Sequence, residues 1–177
     1  MKTVQVISEV PMKAIRVEKV VLNIGVGKAG EPHEKARKVL QELTGQKPAA
    51  RAARDSIRDF GVQKGEPIGV IVTLRKARSI EVLKRILASR DNKVSKRSFD
   101  DTGNFSFGVK EHIEIPGIRY NPDLGIFGFD VSVVLGRAGR RVSSRKRARS
   151  KVGLSHRITK EEAVAFAKEQ IGIEVVE

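Results

Sequence analysis

Four stretches of this chain alternate apolar and polar residues at every second position, and that period of two constrains its fold more than any other feature. In Val17 to Gly25, Val20, Leu22 and Ile24 share one face while Lys19, Val21 and Asn23 share the other. In Ile68 to Arg75, Ile68, Val70, Val72 and Leu74 face one way, with Thr73 and Arg75 opposite. From Phe105 to Ile115, Phe105, Phe107, Val109, Glu111, Ile113 and Ile115 alternate with Ser106, Gly108, Lys110, His112 and Glu114. Finally, Phe129, Val131, Val133 and Leu135 alternate with Asp130, Ser132 and Val134. Strands of this kind build a sheet that is apolar on one side and polar on the other.

Helical spacing separates these strands. Glu31-Pro32 opens a run in which Ala36, Val39, Leu40 and Leu43 recur on one face, with Pro32 in the first turn and Gly45 as the C-terminal cap. Ser79 is placed to cap a helix carrying Ile80, Leu83, Ile86 and Leu87, followed by a polar connection from Arg90 to Arg97. Thr159 and Glu162 have the spacing of a capping box for a last helix through Val164, Ala167 and Ile171. Ser56 to Val62 reads as a strand that pairs with Ile68 to Arg75 around an exposed basic tip, while Ala49 to Arg54 carries no assignable pattern. The fold class expected is α+β: a single domain, a mostly antiparallel sheet with helices on one face, a basic loop and a C-terminal helix. Residues 1–136 form the expected RNA-binding core, 137–156 the basic loop, and 157–177 a C-terminal helix and strand packed on that core.

Charge selects the partner. Lys and Arg number 35 against 21 Asp and Glu, a formal net charge of +14 that repels itself unless a polyanion neutralises it. The segment Gly136 to Lys151, GRAGRRVSSRKRARSK, has no apolar period and should be ordered mainly by its partner. Closely spaced cations gain by releasing counterions from phosphates, so Arg137, Arg140, Arg141, Arg145, Lys146 and Arg147 are candidate RNA contacts. Aromatic residues make up only 5% of the chain, which favours contacts to the backbone and shape of a folded RNA over stacking of many unpaired bases.

Other chemistries are weighed against this reading. No apolar run reaches the roughly 18 residues of a membrane span, and the amino-terminal MKTVQVISEVPMKAIRVEKV lacks the pattern of a signal peptide, so a cytoplasmic location is expected. The absence of cysteine removes disulfides, thiol nucleophiles and Cys-containing metal sites. His33, His112 and His156 are scattered and are expected at the surface or facing RNA. Glu111 and Glu114 fall on opposite faces of a predicted strand and form no carboxylate pair there. Gly25, Gly27 and Gly30 match G-x-G-x-x-G between a strand and a helix, the sharpest hint of a nucleotide cofactor. That helix is followed by QKPAARAARDS instead of an apolar strand ending in an acid. The expectation is a binding protein: no catalysis, cofactor, metal, small-molecule substrate or membrane.

Four long motifs in order, VEKVVLNIGVGKAG, LTGQKP, SIRDFGVQKGEPIGVIVTLR and DDTGNFSFGVKEHIEIPGIRYNPDLGIFGFDVSVVLGR, resemble the ribosomal protein L-five family of the large subunit over most of the chain. The late segment GLSHRITKEEAVAFAKEQ resembles the archaeal and eukaryotic branch, with an archaeal source the closer match. The resemblance implies an α+β domain that presents one sheet face to 5S rRNA, contacts 23S rRNA and neighbouring large-subunit proteins in the central protuberance, and reaches P-site tRNA with a loop. It implies 5S contacts at Asn23, Gln46, Lys47, Arg54, Thr73 and Arg75. Arg54 belongs to a family pattern that reads here Ala52-Ala53-Arg54-Asp55-Ser56, with Arg51 beside the place of a missing Lys. The loop that approaches tRNA corresponds to Gly61 through Pro67, with Gln63, Lys64 and Gly65 at its tip. Gln63 stands where many members have Arg, and Lys64 keeps the charge one position on.

Overall fold

The structure, a computed structural model, describes residues 11–28, 30–118 and 121–176. The first ten residues, part of the stretch read for a leader, lie outside the described residues, as do Ala29, Arg119, Tyr120 and Glu177. Five strands form one sheet in the order β2-β3-β1-β6-β5, and every neighbouring pair is antiparallel. The strands are β1 (Ile15–Gly25), β2 (Ala49–Ala52), β3 (Pro67–Leu74), β5 (Phe105–Val109) and β6 (Phe129–Arg137). Between them come α1 (Glu31–Thr44), α2 (Ala77–Ala88) and the short β4 (Lys93–Ser95). The tail adds α3 (Lys160–Phe166), which runs into a π-helical turn (Ala167–Ile171), and β7 (Glu174–Val176), parallel to β4.

The alternation read from the sequence sets the core. Leu22 of the central β1 pairs with Val72 on one side and Val131 on the other, and Phe107 pairs in turn with Val131, giving one apolar row across four strands. Val20, Leu22, Ile24, Val70, Leu74, Val131 and Val133 are almost wholly shielded from solvent. Helices α1 and α2 cover this face with Ala36, Val39, Leu40 and Leu43 and with Val82, Leu83, Ile86 and Leu87. Pro32 lies in the first turn of α1, and Gly45 caps its end in the left-handed conformation. An Arg85 guanidinium then donates to the Leu43 carbonyl at 2.7 Å, tying α2 to the open end of α1.

Several expectations need correction. Ser56 to Val62 is not a strand: Arg58–Phe60 forms a 3-10 turn, Gly61 adopts φ +64°, and only the single bridge between Ile57 and Val62 is extended. Its apolar residues are 57, 60 and 62, which breaks the period of two. The partner of β3 is instead β2, whose exposed AARA sequence has no apolar face to betray it. Arg75 lies one residue beyond β3. Ser79 does not cap α2; it sits buried in the first turn and its hydroxyl donates to the carbonyl of Lys76, the actual N-cap residue, at 2.6 Å. Ile80 is exposed and Val82 takes its place in the core. The polar connection after α2 contains β4, whose pairing is supplied by the distant tail. The strand from Phe105 ends at Val109, and Glu114 belongs to a 3-10 turn, His112–Glu114, that Glu111 precedes. His33 and His112 are buried: His33 shares the Ala36/Leu40 face of α1, a spacing visible in the sequence, and the His112 ring accepts from the Phe127 amide at 3.3 Å.

The tail docks by an apolar contact that depends on one glycine. Ile158, Ala163, Ala167, Ile171 and Ile173 are buried. Both halves of the capping box form: Thr159 accepts from the Glu162 amide, and the Glu162 carboxylate accepts from the Thr159 amide. Gly103 has φ +80°, and a Cβ there would lie 2.7 Å from Ile158 Cγ2 and 3.1 Å from Ala163 Cβ. Gly103→Ala therefore adds backbone strain and a clash with the tail, an expected loss of about 2 kcal/mol. Amide exchange is expected to accelerate across 158–171 in this variant while the β1 amides keep their protection. Uniform acceleration would show that the tail and sheet open together.

Candidate nucleic-acid interface

The face of the sheet opposite the helices carries the residues of the other parity. One cross-strand row reads Ala49, Ile71, Asn23, Asp130 and Gly108, and the next reads Thr73, Val21, Ser132 and Ser106. Asn23 and Thr73 are thus diagonal neighbours, within reach of one ligand. Five strands give a platform about 19 Å wide. Its side chains are mostly small, hydroxyl-bearing or amide-bearing, so a sugar-phosphate backbone can approach closely and find hydrogen-bonding groups. Asp130 is the one carboxylate in these two rows, and it suits a donor such as a 2′-hydroxyl better than a phosphate.

Cations border one end of the platform. Lys47 and Arg75 are exposed, with Lys47 two residues before the Ala49–Ile71 pair and Arg75 two residues beyond Thr73. Gln46 is half-buried, and its backbone N–H donates to Thr44 Oγ1 at 3.3 Å while that hydroxyl donates to the Leu40 carbonyl. The connection that carries Gln46 and Lys47 is therefore held by the end of α1. Of the six residues expected to contact 5S rRNA, five gather around this end: Asn23, Gln46, Lys47, Thr73 and Arg75. Arg54 does not join them, because it follows β2 at the opposite end of the sheet.

Arg54 instead belongs with the loop of residues 53–66, where Gln63, Lys64 and Gly65 are exposed. The loop is braced from within. Ala53 and Glu66 pair through an amide-to-carbonyl bond of 2.8 Å, the Gly65 amide donates to the Ala53 carbonyl, and the Lys64 amide donates to Ser56 Oγ at 2.9 Å. The Glu66 carboxylate also accepts from the Gln63 backbone N–H at 3.0 Å. Sequence reasoning missed Phe60, the one exposed phenylalanine of seven, which shows 72% of its surface beside Arg58. A partial signal was available, since Phe60 stands between Arg58-Asp59 and Gly61, three residues after Ile57 and so off its parity.

The basic segment divides into two parts. Arg137 is 9% exposed; one Nη lies 2.8 Å from Glu162 Oε1 and the other donates to the Arg157 carbonyl. Arg140 pairs with Glu18 at 2.8 Å and is half-exposed. Burial works against ionisation of Glu162, but its hydrogen bonds from Thr159 and the Arg137 charge outweigh it and hold that carboxyl below its usual range. Arg141, Arg145, Lys146 and Arg147 are exposed, along with Arg149 and Lys151. The segment is not featureless: it holds a 3-10 turn, Arg140–Ser143, and the Arg149 Nε–H donates to the Ser143 carbonyl at 2.6 Å. Brief trypsin digestion of free protein is expected to cut between Arg145 and Lys151 before it cuts at Arg137 or Arg140. First cleavage at Arg137 would contradict this division.

The glycine fingerprint fails its structural test. A Cβ placed on Gly25, Gly27 or Gly30 meets nothing within 4 Å, so no close approach of helix and strand requires them. The strand is the centre of an antiparallel sheet, whereas a dinucleotide site lies at the crossover of parallel strands. Gly27 (φ +76°) and Gly30 (φ +96°) serve an ordinary turn into α1.

Comparison with known proteins agrees with the fold and its motifs. The family model for ribosomal protein L5 matches residues 11–63, and the model for the C-terminus of the same ribosomal family matches residues 67–166. The chain is 53% identical over 165 residues to large ribosomal subunit protein uL5 of Pyrobaculum aerophilum, covering 93% of this chain and 92% of that protein. It is 49% identical to the uL5 protein of Sulfurisphaera tokodaii over 94% of this chain and 95% of that one. The uL5 protein of Nitrosopumilus maritimus is 48% identical, over 95% of this chain and 97% of its own. Matches of this extent, running through both the sheet and the tail, establish that the chain belongs to the ribosomal protein L5 family.

Proposed function

We propose that the chain is a non-catalytic constituent of the large ribosomal subunit that binds 5S rRNA on the open face of its sheet. In this reading it fastens 5S rRNA to 23S rRNA in the central protuberance of the cytoplasmic ribosome, beside neighbouring large-subunit proteins. The observation that carries the reading is the platform itself: two cross-strand rows that carry Asn23, Asp130, Thr73, Ser132 and Ser106, bordered by Lys47 and Arg75. Amide and hydroxyl groups on a rigid sheet fix the register of an RNA backbone, and the bordering cations supply affinity by displacing counterions. Specificity comes from RNA shape, because an A-form helix hides its base edges in a deep groove and displays 2′-hydroxyls in a shallow one.

Arg54, Gln63, Lys64 and Gly65 serve a separate surface at the other end of the sheet, the loop that approaches P-site tRNA. Phe60 adds a flat apolar face to it. The exposed part of the basic segment, from Arg141 to Arg147, supplies further rRNA contacts, while Arg137 and Arg140 chiefly hold the segment to the core.

The division of roles on the platform is tested by the salt dependence of 5S binding. Arg75→Ala is expected to lower the slope of log K against log salt by about 1, since one phosphate contact is lost. Asn23→Ala is expected to weaken binding about three- to tenfold with the slope kept, as befits a neutral hydrogen bond. Equal slope changes in the two variants would contradict the assignment.

A further inference from the structure

The connection from β3 to α2 is only two residues long, Arg75 and Lys76, and it holds a lysine in a backbone conformation that suits glycine. Lys76 has φ +61° and ψ −148°, close to the extended positive-φ region that only glycine enters freely, because a Cβ there crowds the adjoining peptide groups. Asp91 and Asn92, which also have positive φ, are of types that tolerate it through short polar side chains; lysine has no such relief. The surroundings hold the conformation in place. Ser79, fully buried in the first turn of α2, donates to the Lys76 carbonyl twice, from its backbone N–H at 3.1 Å and from its hydroxyl at 2.6 Å. Glycine would fill the same turn without strain and is an accepted helix N-cap, so folding alone gives no reason for a lysine here.

The Lys76 side chain is exposed at a corner where other cations gather. Arg75 precedes it, and Arg78 follows in the first turn of α2. Arg78 leans over the end of α1: a Cβ on Gly45 would lie 3.3 Å from its Nη2, and Lys47 stands two residues beyond that glycine. Among the described residues no carboxylate pairs with Lys47, Arg75, Lys76 or Arg78, whereas Arg137 and Arg140 each hold one. Exposed like charges at one corner repel one another in the free protein and gain together when phosphates neutralise them. Lys47 and Arg75 border the platform, so Lys76 and Arg78 extend its cationic edge from the sheet onto α2. We infer that this corner is a phosphate-binding surface over which the backbone of the RNA held by the platform continues toward α2, with Lys76 kept in its strained conformation because its ammonium binds that backbone. The inference rests on the platform reading for its partner. It assigns to Lys76 a binding role that lowers the stability of the free protein.

The test compares Lys76→Gly, which removes both strain and charge, with Lys76→Gln, which keeps the strain and removes the charge. Lys76→Gly is expected to raise the thermal unfolding midpoint of the full chain by about 2–4 °C, and Lys76→Gln to leave it close to the parent value. Both are expected to weaken binding to 5S rRNA about three- to tenfold and to lower the slope of log K against log salt by about 1, as the loss of one phosphate contact requires. Lys76→Arg is expected to keep the parent slope. Lys168→Gln, which removes an exposed charge from the tail, is the control and should keep it as well. Lys76→Gly and Lys76→Gln variants that bind as the parent does would overturn the phosphate role, and a Lys76→Gly variant no more stable than the parent would overturn the strain that motivates it. A loss matched by Lys168→Gln would reduce the effect to net charge and overturn the corner as a surface. The same series run with tRNA separates this inference from the platform: a parent that binds both RNAs alike defeats the platform's specificity, while a slope change at Lys76 still reports a phosphate contact.

Discussion

Thr73→Glu is expected to weaken binding to 5S rRNA about a hundredfold at moderate salt. Thr73 is exposed on the open sheet face near its cationic end, diagonal to Asn23 and two residues from Arg75. A carboxylate there would stand about 6 Å from a bound phosphate, and at an effective dielectric constant near 20 the repulsion is on the order of 2.8 kcal/mol. Fold stability should hardly change, since the position is solvated on a strand whose other face makes the core. Gln41→Glu, which adds the same charge to the exposed side of α1, controls for the overall loss of positive charge. It is expected to weaken binding no more than about twofold, because charges beyond a Debye length of about 10 Å are largely screened. Equal losses in the two variants would mean that RNA follows net charge and not this face.

The second large effect separates the two faces of a single strand. Leu22 is fully buried in the centre of the apolar row formed with Val72 and Val131, whereas the next residue, Asn23, looks out from the platform. Leu22→Ala removes three buried carbon atoms and leaves a cavity between two neighbouring strands, with an expected loss of about 3–5 kcal/mol in denaturant unfolding. The molecules that remain folded should still bind 5S rRNA with close to the original affinity. Asn23→Ala reverses the pattern, with a stability change within about 1 kcal/mol and the RNA effect given above. A Leu22→Ala variant that stays as stable as the parent would show that the β1 core row is not close-packed.

The same strand shows why much of the fold was legible in the sequence. Residues whose environment is set by their own element announce themselves: β1 and β6 by alternation, α1 by its apolar stripe and Pro32, and α3 by the Thr159–Glu162 box. Elements made by distant partners do not. The four residues of β2 are all exposed and adhere only through the edge of β3, and β4 exists because β7, far later in the chain, lies beside it. Ser79 misled for a related reason: a serine near a helix start resembles a cap, yet here it bonds back to Lys76 from inside the first turn.

The candidate site was legible to the same extent. Parity placed Asn23 and Thr73 on one face before any register was known, while the separation of Arg54 from them required the sheet order and the end at which β2 turns. Charge density marked the whole basic segment but could not tell that Arg137 is paired with Glu162, 25 residues away.

The most direct test of the central claim is the binding of purified protein to 5S rRNA from the same organism over a salt series, with tRNA as competitor. The expected result is a complex that weakens with salt yet survives an excess of tRNA, because the platform reads the shape of one folded RNA in addition to its charge. A complex that tRNA displaces as readily as 5S rRNA itself would reduce the platform to a generic polycation surface and contradict its assignment as the 5S-binding face.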